Sequence, residues 1–101
     1  MDYQHLLQQA ANLKKKLDEL EDQLARFEAS ASAGGDAAQV RVNGQFQVVE
    51  LNLDAELVGT QDLGLIQETI QAALNQALAT VREHRDQQRA GLTGGFSLPE
   101  L

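Results

Sequence analysis

Val40-Arg41-Val42-Asn43-Gly44-Gln45-Phe46-Gln47-Val48 is the stretch on which the fold turns. Valines alternate with polar residues before the Asn-Gly pair, and Phe46 and Val48 alternate after it. Alternation marks a strand with one buried face, and Asn-Gly between two such runs is a strong hairpin signal. The tight turn of type I′ needs positive φ at both central residues, which asparagine and glycine tolerate. The returning strand reads from Gln45 to about Leu53, but its phase slips. Phe46 and Val48 share one face, whereas Val49, Leu51 and Leu53 share the other. Such a slip predicts either a β-bulge or a strand partly covered on both faces.

Outward from the hairpin towards the N-terminus lies Ala29-Ser30-Ala31-Ser32-Ala33-Gly34-Gly35-Asp36, small and polar, which reads as a loop or a weak first strand. Before it, from Tyr3 to about Glu28, Leu6, Ala10, Leu13, Leu17, Leu20, Leu24 and Phe27 recur at alternating intervals of four and three. That is a coiled-coil-like heptad seam on a long helix, uninterrupted by glycine or proline. A helix of ~25 residues is nearly 40 Å long at 1.5 Å per residue. Its seam requires cover, from a helix of the same chain or of a second copy.

Outward in the other direction, Asp54-Ala55-Glu56-Leu57-Val58 reads as a helical turn capped by Asp54, broken at Gly59-Thr60. A second long helix then reads from about Gln61 to Gln88, with Leu63, Ile66, Ile70, Ala73, Ala77, Val81 and His84 as its stripe and Leu74 widening it. Both helical stripes read as core. Gly91, Gly94, Gly95 and Pro99 punctuate the rest, so residues 1–89 read as one domain and 90–101 as a flexible Gly-rich tail. The expected class is α+β: long helix, small antiparallel sheet of two to three strands, long helix. Helices that overhang so small a sheet leave apolar surface bare, and a dimer is the physical expectation.

With 101 residues there is room for a single core, and an aromatic share of 4% leaves packing to aliphatic side chains and alanine. The absence of cysteine excludes disulfides and thiolate metal sites, and two isolated histidines, His5 and His84, do not suggest a histidine zinc site within one chain. They read as surface or core-edge residues. No metal, cofactor or small-molecule substrate is expected, and no nucleophile–base set appears; Gly94-Gly95 precedes no helix that could cradle phosphate. An enzyme is not expected. No apolar run spans a bilayer and no signal peptide opens the chain, so no membrane partner is expected and the default location is the cytoplasm.

The formal charge of −7 opposes wholesale attraction to nucleic acid, but six of the eight basic residues fall into two groups on the helices. Lys14, Lys15 and Lys16 are consecutive; Arg82, Arg85 and Arg89 follow one helical stripe. Cations so placed can neutralise phosphates and release counterions. On the residues alone a solvated face is the better account, because Lys14 stands four residues before Asp18, Lys15 before Glu19 and Arg82 before Asp86. Asn75 reads as a partner in a cap or an inter-helix hydrogen bond.

Four stretches together resemble the YbaB/EbfC family of nucleoid-associated proteins. They are Leu7-Gln8-Gln9-Ala10; Val40-Arg41-Val42-Asn43-Gly44 with Val49-Glu50-Leu51-Asn52-Leu53-Asp54; Ala72-Ala73-Leu74-Asn75-Gln76-Ala77; and Thr93-Gly94-Gly95-Phe96-Ser97-Leu98-Pro99. The resemblance implies a tweezer-like homodimer that binds double-stranded DNA with little sequence preference in the bacterial nucleoid, with scope for bending or bridging it and influencing gene expression. It turns Lys14, Lys15, Lys16, Arg82, Arg85 and Arg89 into candidate DNA contacts. The chain departs from the family pattern at Ala55, where proline is usual, at Gln8, where lysine is frequent, and over Ala29–Ala33, which lacks the usual glycine. The rival reading is an acidic dimeric protein-interaction module with weak or no direct DNA binding.

Overall fold

A computed structural model describes residues 3–93. Its elements are α1 (Tyr3–Arg26), β1 (Glu28–Ala33), β2 (Ala38–Asn43), β3 (Val48–Leu53), α2 (Ala55–Gly59) and α3 (Leu63–Thr93). The strands form one antiparallel sheet in the order β1-β2-β3. This is the expected α+β architecture, with three strands.

Of the two readings of the Ala/Ser stretch, the strand is the one adopted. Glu28 pairs with Asn43 and the ladder runs to Ala33 opposite Ala38. The helix before it ends at Arg26, two residues earlier than the seam suggested, because Glu28 already belongs to the sheet. The reversal into β2 passes through Gly34, Gly35 and Asp36, all at positive φ. Gly34 is required twice over: its φ is +67°, and a Cβ there would stand 3.0 Å from Thr69 Cγ2 on α3.

The hairpin lies where Asn-Gly placed it, but its turn is not type I′. The Asn43 amide donates to the Gln47 carbonyl at 2.9 Å and the Phe46 amide to the Asn43 carbonyl at 3.0 Å, with Phe46 at φ +62°. This is a three-residue loop closed by a left-handed residue. The buried Asn43 side chain dictates it: Oδ1 accepts from the Gln45 and Gln47 amides at 2.9 and 3.1 Å. Gly44 lacks positive φ and serves another purpose, since a Cβ there would collide with the Leu24 carbonyl. The returning strand therefore starts at Val48 and not at Gln45. The phase slip is a bulge: Arg41 faces Glu50 and Val42 faces Val48, leaving Val49 as the extra residue.

Asp54 does precede α2, but its side chain makes no capping hydrogen bond. Asp62 serves α3 instead, its Oδ1 accepting from the Leu65 amide at 3.1 Å. α3 runs on to Thr93, past the expected end at Gln88. What remains of the expected flexible tail, residues 94–101, lies outside the described residues.

α3 lies across β1 and β2, and the core is the small-residue layer between them: Ala29, Ala38, Val40 and Val42 beneath Ala73, Ala77 and Val81. Alanines on both sides let helix and sheet approach closely, but a helix about 10 Å across covers only two strands spaced about 4.8 Å apart. Val48 and Leu51 on β3 therefore remain 53% and 45% exposed. The reading of both stripes as core holds for α3 from Ile66 onward, Leu63 at its start being exposed, and fails for most of α1. Of the α1 seam Leu24 is buried, whereas Leu6, Leu13 and Leu17 are exposed, because α1 projects past the sheet. The radius of gyration is 19.7 Å, against about 13 Å for a compact chain of this length.

Candidate nucleic-acid interface

Two helical arms leave the sheet at the β2–β3 hairpin, α1 running back from Leu24 and α3 running on from Val81. Their facing sides define two adjoining clefts. One, of about 230 Å³, is lined by Lys16, Glu19, Leu20, Gln23, Gln88 and Gly91. The other, of about 180 Å³, has Leu17, Leu20, Glu21 and Leu24 on one wall and Arg85, Gln88 and Arg89 on the other. Leu20 and Gln88 border both. The structure thus places Lys16 of the first cationic group and Arg89 of the second in neighbouring clefts between the same two helices, which sequence spacing left unconnected.

The six candidate cations are not equivalent. Lys14, Lys15 and Lys16 are all exposed on α1, and successive helical residues fan through about 100° each. They therefore fan over several sides of α1 and cannot all meet the same phosphate group. Arg82 and Arg89 are exposed and seven residues apart, hence on the same face of α3. Among the described residues, the intrahelical pairs of Lys14 with Asp18, Lys15 with Glu19 and Arg82 with Asp86 do not close to ion-pair distance. Lys14, Lys15 and Arg82 are thus not held by these carboxylates.

Arg85 is half-buried and engaged. Its Nη1 donates to the Gly44 carbonyl at 2.8 Å, and its guanidinium carbon lies 5.4 Å from the centroid of the Phe46 ring. Phe46 belongs to the hairpin, so this arginine joins α3 to β2–β3. The neighbouring His84 is a core-edge residue, stacked on Phe27 with centroids 3.7 Å apart. His5 is exposed beside Gln9. Asn75 is exposed on α3 and is not buried between helices.

Two arginines lay outside the sequence-based selection. Arg26 ends α1, where a cation complements the helix dipole. Arg41 stands on the sheet face that α3 leaves bare, 2.7 Å from Glu50 and 3.6 Å from Glu28. Around it Ser30, Ser32, Gln39 and Asn52 line an open polar hollow of about 350 Å³. Two carboxylates hold this arginine, which leaves it poorly placed for phosphate. Cross-strand register brings the three side chains together, and that register needs the strand reading of Glu28–Ala33.

Acidic side chains share the arms. Asp18, Glu19, Glu21 and Asp22 are exposed on α1, and Glu19 and Glu21 line the clefts themselves. Among the described residues no group of three His, Cys, Asp or Glu converges as a metal site, and no helix is long and apolar enough to cross a membrane.

Comparison with known proteins gives a consistent result. The profile of the YbaB/EbfC DNA-binding family matches residues 1–96. A nucleoid-associated protein of Desulfotalea psychrophila is 33% identical over 101 residues, covering 100% of this chain and 95% of that protein. One from Clostridium novyi is also 33% identical over 101 residues, covering 100% of this chain and 89% of its own. Among solved structures, an uncharacterized protein of Helicobacter pylori superposes with a TM-score of 0.80 at 26% identity, over 91% of this chain and 97% of that one.

Proposed function

Because the chain belongs to the YbaB/EbfC DNA-binding family, we propose that it acts as a homodimer that binds double-stranded DNA with little sequence preference. The observation that carries this reading is the pair of adjoining clefts between the arms, one lined by Lys16 and the other by Arg85 and Arg89, with Leu20 and Gln88 common to both. Phosphate contacts fall to Lys14, Lys15, Lys16, Arg82 and Arg89. Contacts of that kind position a protein on a duplex without reading bases, which is the ground for weak sequence preference. Two pairs of arms in a dimer give scope for bending or bridging the duplex and so for influencing gene expression. The relatives are named as nucleoid-associated, and we place this chain in the cytoplasm, on the nucleoid.

A second copy is favoured by the apolar surface one chain leaves bare. Leu6, Leu13 and Leu17 on α1, and Val48, Val49 and Leu51 on the edge strand β3, are all exposed. Ile70, Leu74 and Leu78 continue the β3 patch onto the flank of α3 that also carries Arg85. Surfaces of this kind are rare on monomers and mark association.

The second reading, an acidic dimer that binds another protein, is favoured by Glu19 and Glu21 within the clefts and by the net charge of −7. Salt separates the two readings. Titration into dye-labelled random duplex, at several salt concentrations, is expected to show binding that weakens steeply with salt and fails in the Lys14→Glu/Lys15→Glu/Lys16→Glu variant. Binding that survives in the variant would move the contact to Arg82 and Arg89. No binding at low salt would overturn the DNA reading in favour of the protein partner.

A further inference from the structure

Several interactions converge where the arms leave the sheet. The Gly44 amide donates to the Phe27 carbonyl at 2.9 Å. Gly44 also lies so close to the Leu24 carbonyl that no side chain fits between them. From α3, His84 stacks on Phe27 at 3.7 Å, and Arg85 donates to the Gly44 carbonyl at 2.8 Å with its guanidinium over Phe46. The hairpin loop is thereby held against the base of α1 on one side and against α3 on the other. Beyond Leu24, the facing sides of the arms are lined mostly by exposed residues, with Leu20 and Gln88 half-buried. Little else fixes their separation.

From this junction we infer that Arg85 is a positioning residue: it sets the angle between α1 and α3, and with it the spacing of Lys16 and Arg89, without contacting phosphate itself. The inference rests on the DNA-binding reading for its purpose but not for its geometry. Two features of arginine are used at once. One nitrogen of the planar fork reaches the Gly44 carbonyl while the guanidinium carbon stands over the Phe46 ring, a combination that lysine's single ammonium does not reproduce. Phe46 holds its left-handed conformation, at φ +62°, inside this junction. An αL position is unfavourable for a non-glycine residue, and the surrounding packing must offset that.

The test exploits the absence of cysteine. Spin labels on Asn12→Cys in α1 and Gln87→Cys in α3, both exposed positions, report the inter-arm distance within one chain when diluted with excess unlabelled protein. Arg85→Gln and the charge-preserving Arg85→Lys are both expected to broaden the distance distribution, as is Phe46→Leu, which leaves every charge in place. Affinity for random duplex should fall severalfold in all three, with the slope of log K against log salt unchanged. A phosphate-binding Arg85 would behave differently: Arg85→Gln would lower the slope by about 0.9 for the phosphate it no longer neutralises, and Arg85→Lys would be nearly normal. Narrow, unshifted distributions in all three variants would overturn the inference, whether or not the parent protein binds DNA. If the parent binds no DNA and the distributions still broaden, the DNA reading fails while the positioning role stands.

Discussion

The His84 imidazole lies flat against the Phe27 ring, with centroids 3.7 Å apart and planes within 2° of parallel. One residue lies about two-thirds of the way along α3 and the other joins α1 to β1, so the stack helps tie the two halves of the chain. Ring pairs contribute about 0.5–1.5 kcal/mol beyond the area they bury. His84→Ala is expected to lose about 1 kcal/mol, or roughly 4–8 °C in Tm for a domain of this size. His84→Phe should retain most of it. Thermal unfolding at matched protomer concentration measures both, and an unchanged Tm in His84→Ala would show that the stack contributes nothing.

Gly44 is the position least tolerant of a side chain, because the Leu24 backbone occupies the place of its Cβ. Backbone cannot swing aside as a side-chain tip does, so Gly44→Ala must push α1 from the hairpin. A loss of about 1–3 kcal/mol is expected in urea unfolding, in the range of other overpacked sites. A variant as stable as the parent would mean that the chain does not pass so close.

Arg41 presents the opposite case. Its ion pairs with Glu50 and Glu28 sit on an open sheet face, with the side chains of all three about two-fifths exposed. Pairs so well solvated contribute little, and Arg41→Gln is expected to cost less than about 1 kcal/mol. The cost should shrink further as salt is raised. A loss of several kcal/mol would mean that this face is covered in the assembled protein.

The elements that declare themselves in the sequence are those carried by local pattern. The α1 seam, the α3 stripe and the Asn43-Gly44 reversal each signal through neighbours within a few residues. The bulge at Val49 is legible for the same reason, as a break in alternation. β1 is legible only as one of two alternatives, because Glu28-Ala-Ser-Ala-Ser-Ala33 has little intrinsic preference for a strand. What makes it one is register with β2 and the fit of Ala29 beneath the alanines of α3. The turn departs from type I′ because the Asn43 side chain, and not its backbone tolerance, decides the loop.

The candidate interface divides along the same line. That Lys14, Lys15, Lys16, Arg82 and Arg89 lie on exposed helical faces follows from spacing. Arg85 shares the spacing of Arg82 and Arg89, but its partner Gly44 is 41 residues away in sequence. No periodicity announces an interaction of that range.

For the homodimer proposed above, Tm should rise with protomer concentration, since association stabilises only the folded chain. Leu51→Lys is expected to reduce the dimer fraction in sedimentation, because it places a charge in the patch shared by β3 and the flank of α3. Leu13→Lys, on the narrower seam of α1, should do so less. The reverse order would move the interface to the helical arms, and a Tm independent of concentration would argue for a monomer.

α1 is a lever with its fulcrum at Leu24. Its 24 residues extend about 36 Å, so a tilt of only about 5° at the base swings the far tip by about 3 Å, close to one base-pair step. Lys16 and Lys15, less than halfway out, travel roughly two-fifths as far for the same tilt. On the DNA-binding reading proposed above, gearing of this kind would let the cations near the pivot keep hold of a backbone while the apolar tip, with Leu6 and Leu7, sweeps a much larger arc.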